Sequence, residues 1–255
     1  MTMRRLAHRP AHVAALLLLA LLVVAPIFTQ SVAGQEKGPS ANAQVIAQGL
    51  TAPPAENSAW RVVQQKIPTR LDAVPSVRLQ SSVGFLLSDD VDIFVVDQRT
   101  KLRSRLAPGQ AQFVQTGANQ TWASLATKAG TAYTLELVDR DVAKVAPGGE
   151  VIYTSGSFTT PLGDYDLDLI RSEVAAGDKA TIPASSYPML ILVTSGSATI
   201  TSAKHDDPIR LKAGQASVAK GDITIKPRGD KPVTFVAAVL GDPITGGDDV
   251  PTVAP

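Results

Sequence analysis

The chain has 255 residues, no cysteine, three histidines and a formal charge of +1. Without thiols it can form no disulfide, thiolate nucleophile or thiolate metal site, and its near-neutral charge leaves no electrostatic footprint for nucleic acid. Aromatic residues are few while Val, Ile, Leu, Thr and Ala are plentiful, a composition that fits a strand-rich core.

Arg4, Arg5, His8 and Arg9 precede an apolar run, Val13 to Phe28, broken only by Pro26; Ser31-Val32-Ala33 follows. A basic start, a short apolar stretch and small residues form an export signal. The run has 16 residues, fewer than the ~20 that span a bilayer as a helix. Residues 1–34 are therefore expected to be a signal peptide, or an anchor if uncleaved. Cleavage would remove three arginines and take the formal charge from +1 to −2.

Residues 35–58 are small and polar, with Pro53-Pro54, and read as a flexible linker. From Trp60 onward, apolar runs of four to seven residues end at Ser88-Asp89-Asp90, Asp97-Gln98-Arg99, Ala107-Pro108-Gly109, Thr116-Gly117 and Lys128-Ala129-Gly130. Short strands broken at nearly every turn by Gly, Pro or Asp mark an all-β sandwich or barrel. A first barrel is expected over 59–142, a link containing Pro147-Gly148-Gly149 over 143–149, and a second barrel over 150–242. Residues 243–255, with Gly246-Gly247-Asp248-Asp249, read as a disordered tail. No window of 12 or more residues after residue 34 has helical spacing.

The two series repeat. Arg105-Leu106-x-x-Gly109-Gln110-Ala111 recurs as Arg210-Leu211-x-x-Gly214-Gln215-Ala216, 105 residues later, and in each case two short strands and a valine-rich strand follow. A repeat of that length points to a duplicated unit.

In the second unit, Gly177, Pro183, Ser185, Met189 and Gly196 have the spacing G-x5-x-x-x-x3-x-x6-G. This resembles the first motif of the cupin superfamily, G-x5-H-x-H-x3–4-E-x6-G. Gly109, Gln115, Thr116, Gly117 and Gln120 resemble its second motif, G-x5-P-x-G-x2-H, and Gly214 through Gly221 to Ile225 fits that motif with a slip of one. The resemblance implies two tandem double-stranded β-helix (jelly-roll) barrels, a bicupin. In metal-bearing members the motif positions hold three histidines and a glutamate; here they carry Pro183, Ser185, Met189 and Ile225 in one barrel and Gln120 in the other. The expectation is a protein with no metal, no cofactor and no catalytic residue. Gln120, Ser185, Met189 and Ile225 are the candidate contacts for a ligand at a barrel mouth, although small barrels are usually filled by side chains.

Only His205 lies beyond the signal segment, in the turn-like stretch Ala203 to Pro208. Asp164-x-Asp166-x-Asp168 lacks the Gly and Glu of a calcium loop, and its alternation fits the outward face of a strand. The expected function is an exported, metal-free, non-catalytic cupin-like module that binds a small molecule or an envelope partner. It would touch membrane only through an uncleaved N-terminus. Two alternatives differ in class: a metal-independent exported isomerase or lyase drawing on His205, Asp206 or Tyr187 inside a barrel, and a purely structural envelope protein.

Overall fold

The left-handed turns of the duplicated motif set the architecture. In the computed structural model, Gly109 and Gly214 have φ of 78° and 79°, a region that only glycine enters without cost. The Gly109 N–H donates to the Ser88 carbonyl at 2.8 Å, and the Gly214 N–H donates to that of Val193 at 2.8 Å. Gln110 accepts at Oε1 from the Ala107 N–H, and Gln215 from the Lys212 N–H, at 2.8 and 2.9 Å. One turn, with glycine for its backbone and glutamine to satisfy a loose N–H, is thus built twice.

The structure describes residues 43–69, 77–78, 82–146 and 148–244. The expected signal segment, and the tail beyond residue 244, lie outside the described residues. After β1 (Ala43–Thr51) the first half runs β2 (Ser58–Ile67), β3 (Val77–Arg78), β4 (Ser82–Ser88), β5 (Ile93–Asp97), β6 (Arg103–Leu106), β7 (Ala111–Val114), β8 (Asn119–Ser124) and β9 (Gly130–Asp139). The second runs β10 (Glu150–Thr154), β11 (Tyr165–Val174), β12 (Ala180–Ile182), β13 (Met189–Ser195), β14 (Ser197–Ser202), β15 (His205–Lys212), β16 (Ala216–Ala219), β17 (Ile223–Pro227) and β18 (Val233–Pro243). Among the described residues the one helical element is a 3-10 turn, Arg140–Val142.

Each half folds into a five-stranded and a four-stranded antiparallel sheet, and the strand orders correspond. They are β10-β2-β9-β4-β7 with β3-β8-β5-β6, and β1-β11-β18-β13-β16 with β12-β17-β14-β15. Two boundaries expected from the sequence are corrected by the pairing. Residues 43–51, expected in the flexible linker, form β1 and pair with β11 of the second half, from Ala43 opposite Ser172 to Thr51 opposite Tyr165. β10, expected in the second barrel, pairs with β2 of the first. Each half therefore completes its larger sheet with a strand from outside its own span, because an edge strand needs only one neighbour to satisfy half its backbone groups.

This exchange goes with back-to-back packing of the two larger sheets. Trp60, Val62, Phe85, Leu135 and Leu137 of one sheet form a single core cluster with Leu167, Leu169, Leu190, Leu192, Val236 and Leu240 of the other. Strand alternation sends the neighbouring residues Met189, Ile191, Val193, Phe235 and Ala237 into the second barrel, and Leu86 and Ala132 into the first. The central strands β4, β9, β13 and β18 are thus buried on both faces, so they read as near-continuous apolar runs rather than alternating ones.

Candidate functional site

The second barrel is filled. Met189 and Ile225 are both 0% exposed and pack with Ile191, Ile200, Phe235 and Ala237 in its core. The glycines of the first motif act in turns, Gly177 at φ 87° and Gly196 at φ 76°. A Cβ on Gly196 would sit 2.5 Å from the Pro232 carbonyl oxygen. Ser185 is half-buried, donates from Oγ to the Leu240 carbonyl at 2.8 Å and accepts from the Tyr187 N–H at 3.3 Å. It fastens the β12–β13 connection to β18.

Gln120 of the first barrel is differently placed. Its Oε1 accepts from Gln112 Nε2 at 3.2 Å and from Trp122 Nε1 at 3.0 Å. Gln112 Oε1 in turn accepts from Ser104 Oγ at 2.9 Å. Val114, Trp122 and Leu106 belong to the barrel core, so Gln112 and Gln120, each two residues from one of them, lie half-buried on the inward faces of their strands, with Ser104 exposed at the rim. Of this chain of amides and hydroxyl, Gln120 holds the histidine position of the motif that Gly109 to Gln120 resembles. Sequence reasoning found Gln120 but missed Ser104, Gln112 and Trp122; the period-2 spacing from the core residues would have pointed to them.

Beside this chain is a cavity of about 560 Å³, lined among others by Asp97, Arg99, Phe113, Thr116, Asn119 and Gln120. Asn119 Oδ1 is buried without a hydrogen-bond partner among the described residues, an acceptor left available to a ligand or water. The Asp97 carboxylate is engaged: it accepts from the backbone N–H and Oγ1 of Thr100 at 2.7 and 2.9 Å and from the Arg99 N–H at 2.9 Å. These bonds, chiefly from the Thr100 N–H, hold its pKa below the usual carboxylate value.

The ladders also correct an alignment. Ile225 lies opposite Ile200, which lies opposite Ile209. In the first barrel Trp122 lies opposite Val95, which lies opposite Ser104. Ser104 and Ile209 each precede their turn glycine by five residues. Ile225 therefore corresponds to Trp122, and the counterpart of Gln120 is Ile223, because the second unit's turn is shorter.

A buried ion pair also lies in the first barrel. Arg61 donates from Nε to Glu136 Oε2 at 2.7 Å and from Nη2 to the same oxygen, and both side chains are under 5% exposed. Arg61 Nη1 donates to the carbonyls of Val142, at 3.1 Å, and Val145. The guanidinium ties the 3-10 turn to the barrel, and Glu136, held by two N–H groups, is a fixed counter-ion rather than a poised base.

The acid–base candidates do not gather. Tyr187 lies outside both barrels, in an aromatic group at the junction of the halves with Phe158 and Tyr165. Tyr165 donates to the Pro161 carbonyl at 2.8 Å; burial, reinforced by the Tyr187 hydroxyl 3.3 Å away, pushes it up to about 12. His205 and Asp206, expected in a turn, begin strand β15 instead, with His205 opposite Ser202. Among the described residues no three His, Cys, Asp or Glu side chains stand close enough to hold a metal. The groups at the motif positions do not fit one either. A proline ring and an isoleucine donate no lone pair, the Ser185 hydroxyl is engaged, and a buried thioether alone is a weak ligand.

Paired five- and four-stranded sheets, built twice in the same order with exchanged edge strands, are the bicupin fold. The structure is similar to the protein YhaK from Escherichia coli, with a TM-score of 0.52 at 12% identity, covering 76% of this chain and 93% of that one. It is also similar to Lactobacillus farciminis oxalate decarboxylase in its formate complex, with a TM-score of 0.52 at 11% identity over 80% and 87% of the two chains. AerE from Microcystis aeruginosa gives 0.51 at 7% identity, over 76% and 92%. At such identities the likeness carries the fold alone. No protein-family model and no curated protein matches the sequence.

Proposed function

We propose that this chain is an exported, metal-free, non-catalytic cupin-like protein that acts as a binding or scaffold module, with the mouth of its first barrel as the binding part. The observation that carries this reading is a cavity against the β7–β8 turn of the first half, lined among others by Gln115, Asn119 and Gln120, where Asn119 Oδ1 has no hydrogen-bond partner among the described residues, while Met189 and Ile225 pack in the core of the second barrel. Export is supported by the basic, apolar and small-residue segments of the first 34 residues. Against the isomerase or lyase alternative, general acid–base chemistry needs a titratable group free to exchange a proton. Two carboxylates of the first half, Glu136 and Asp97, are engaged, Glu136 by Arg61 and Asp97 by its own turn.

The test is a thermal-shift screen of the exported, untagged protein against neutral sugars, polyols and small amides, with and without divalent metals. A ligand of the first barrel raises the melting temperature by mass action, and Gln120→Ala or Asn119→Leu removes that rise without metal dependence. A shift seen only with a divalent ion, or unaffected by both substitutions, would overturn this reading.

A further inference from the structure

The outer face of the second barrel carries a four-cation frame with no counterpart in the first. Strand register places Thr199 between Arg210 of β15 and Lys226 of β17. One step along β14, Ser197 lies opposite Lys212 and accepts at its carbonyl from the Arg228 N–H at 2.8 Å. Ala198, Ile200, Leu211 and Ile225 point into the barrel core, so by alternation Arg210, Lys212 and Lys226 share the outward face; Arg228 follows the end of β17 directly, and all four are exposed. They form two rails about 10 Å apart, two strand spacings, with successive charges about 7 Å apart along each, two residues of rise. Neither ion pair among the described residues involves them.

The duplication supplies an internal comparison. In the first barrel the frame is Arg105 opposite Phe94, with Ala123 on the far side. Asp92 stands in place of Ser197, its carbonyl accepting from the Leu125 N–H at 2.9 Å as that of Ser197 does from Arg228. That frame has one cation, Arg105, and Asp92 neutralises it at 3.0 Å. The same backbone therefore accommodates a neutral face. Four cations with no ion pair among the described residues stand around Ser197 and Thr199 and repel one another in a chain whose overall charge is near zero, a local concentration of field of the kind that gathers anions.

We infer that this face, a local frame of charge that the near-zero net charge of the chain does not reveal, binds an extended phosphodiester polymer. A chain lying along β14 would have cations on both sides at every second residue and hydroxyls beneath it, and arginine would pair with phosphate oxygens bidentately. The shape is a track one polymer wide, and its occupant is multivalent. This inference stands on the register of the second barrel and does not depend on the cavity of the first.

The experiment uses the full-length untagged protein and poly(glycerol phosphate) in titration calorimetry from 50 to 200 mM salt. Affinity should fall steeply with salt, and the fourfold variant R210Q/K212Q/K226Q/R228Q should bind at least about tenfold more weakly at the lowest salt. Its log–log salt slope should be flatter by about three, at roughly 0.7–0.9 for each phosphate left without its cation. Arg105→Gln in the first barrel should leave binding unchanged, and R210K/R228K, which keeps the charges but loses the bidentate pairing, should keep the salt slope while binding more weakly, which keeps the test sound if the fourfold variant melts early. Glycerol 3-phosphate at equal total phosphate should compete poorly. Unchanged binding by a folded fourfold variant, or full competition by the monomer, would overturn the inference. So would frame-dependent binding to phosphatidylglycerol vesicles without binding to the polymer, which would assign the face to a membrane.

Discussion

Met189→Ala separates a filled barrel from an open one. Met189 holds the glutamate position of the motif that Gly177 to Gly196 resembles, yet it is 0% exposed and packs among Ile191, Ile225 and Phe235. Truncation removes three heavy atoms from a site whose neighbours lie on hydrogen-bonded strands and relax only in part. The transfer loss is about 2 kcal/mol at roughly 0.8 per methylene-sized group. The residual cavity adds to that, for a total of about 3 kcal/mol, within the ~2–5 found for buried Met-to-Ala changes. In a chain of this size that is a fall in melting temperature of roughly 6–12 °C. Urea unfolding followed by far-UV circular dichroism should show a lower midpoint at an unchanged slope. A loss below about 0.5 kcal/mol, the range of surface sites, would mean that Met189 borders an open, hydrated pocket and would refute the account of the second barrel.

Arg61→Met leaves Glu136 buried without its counter-ion and should cost about 3–5 kcal/mol, whereas R61M/E136L should recover most of it; a chevron or equilibrium double-mutant cycle checks this. Gln110→Ala and Gln215→Ala each leave one turn N–H without its partner and should destabilise by similar amounts, about 1 kcal/mol, measured by urea midpoint. A difference above about 1 kcal/mol would deny that the two turns are equivalent. Tyr165 has a folded pKa of about 12 against an ordinary value of 10. Its protonated form is favoured by the fold, so the linked stability is fully present below pH 10 and lost as pH rises from 10 through 12. The melting-temperature gap between wild type and Tyr165→Phe should accordingly narrow across that window, and a constant gap would contradict the assignment.

Much of the fold was legible because the turns carry their chemistry in the local sequence. Gly109-Gln110 and Gly214-Gln215 announce a left-handed residue and a side chain that satisfies it, and their recurrence revealed the duplication. β1 was not legible. AQVIAQGLT mixes Gln44, Gln48 and Gly49 with exposed Val45 and Leu50, so it lacks the clean alternation of a half-buried strand, and only pairing with β11 fixes it. Gly49 is informative in hindsight: a Cβ there would fall 2.4 Å from the Phe113 ring, a close approach made across the junction of the halves. At the site, the loss of the motif's ligating residues could be read directly. Which inward positions are apolar and which carry amides could not, because that depends on whether Met189 and Ile225 or Gln112 and Gln120 face inward, and register came only with the ladders.

The central claim is that the barrels work without a metal, and elemental analysis of the untagged protein tests it most directly. The donors at the motif positions are a proline, an engaged hydroxyl, a buried thioether, isoleucines and a lone amide. The account therefore predicts no stoichiometric Fe, Mn, Ni, Cu or Zn, and a melting temperature unchanged by chelator. Near-unit occupancy by any of these metals, lost with a fall in melting temperature on chelation, would contradict it.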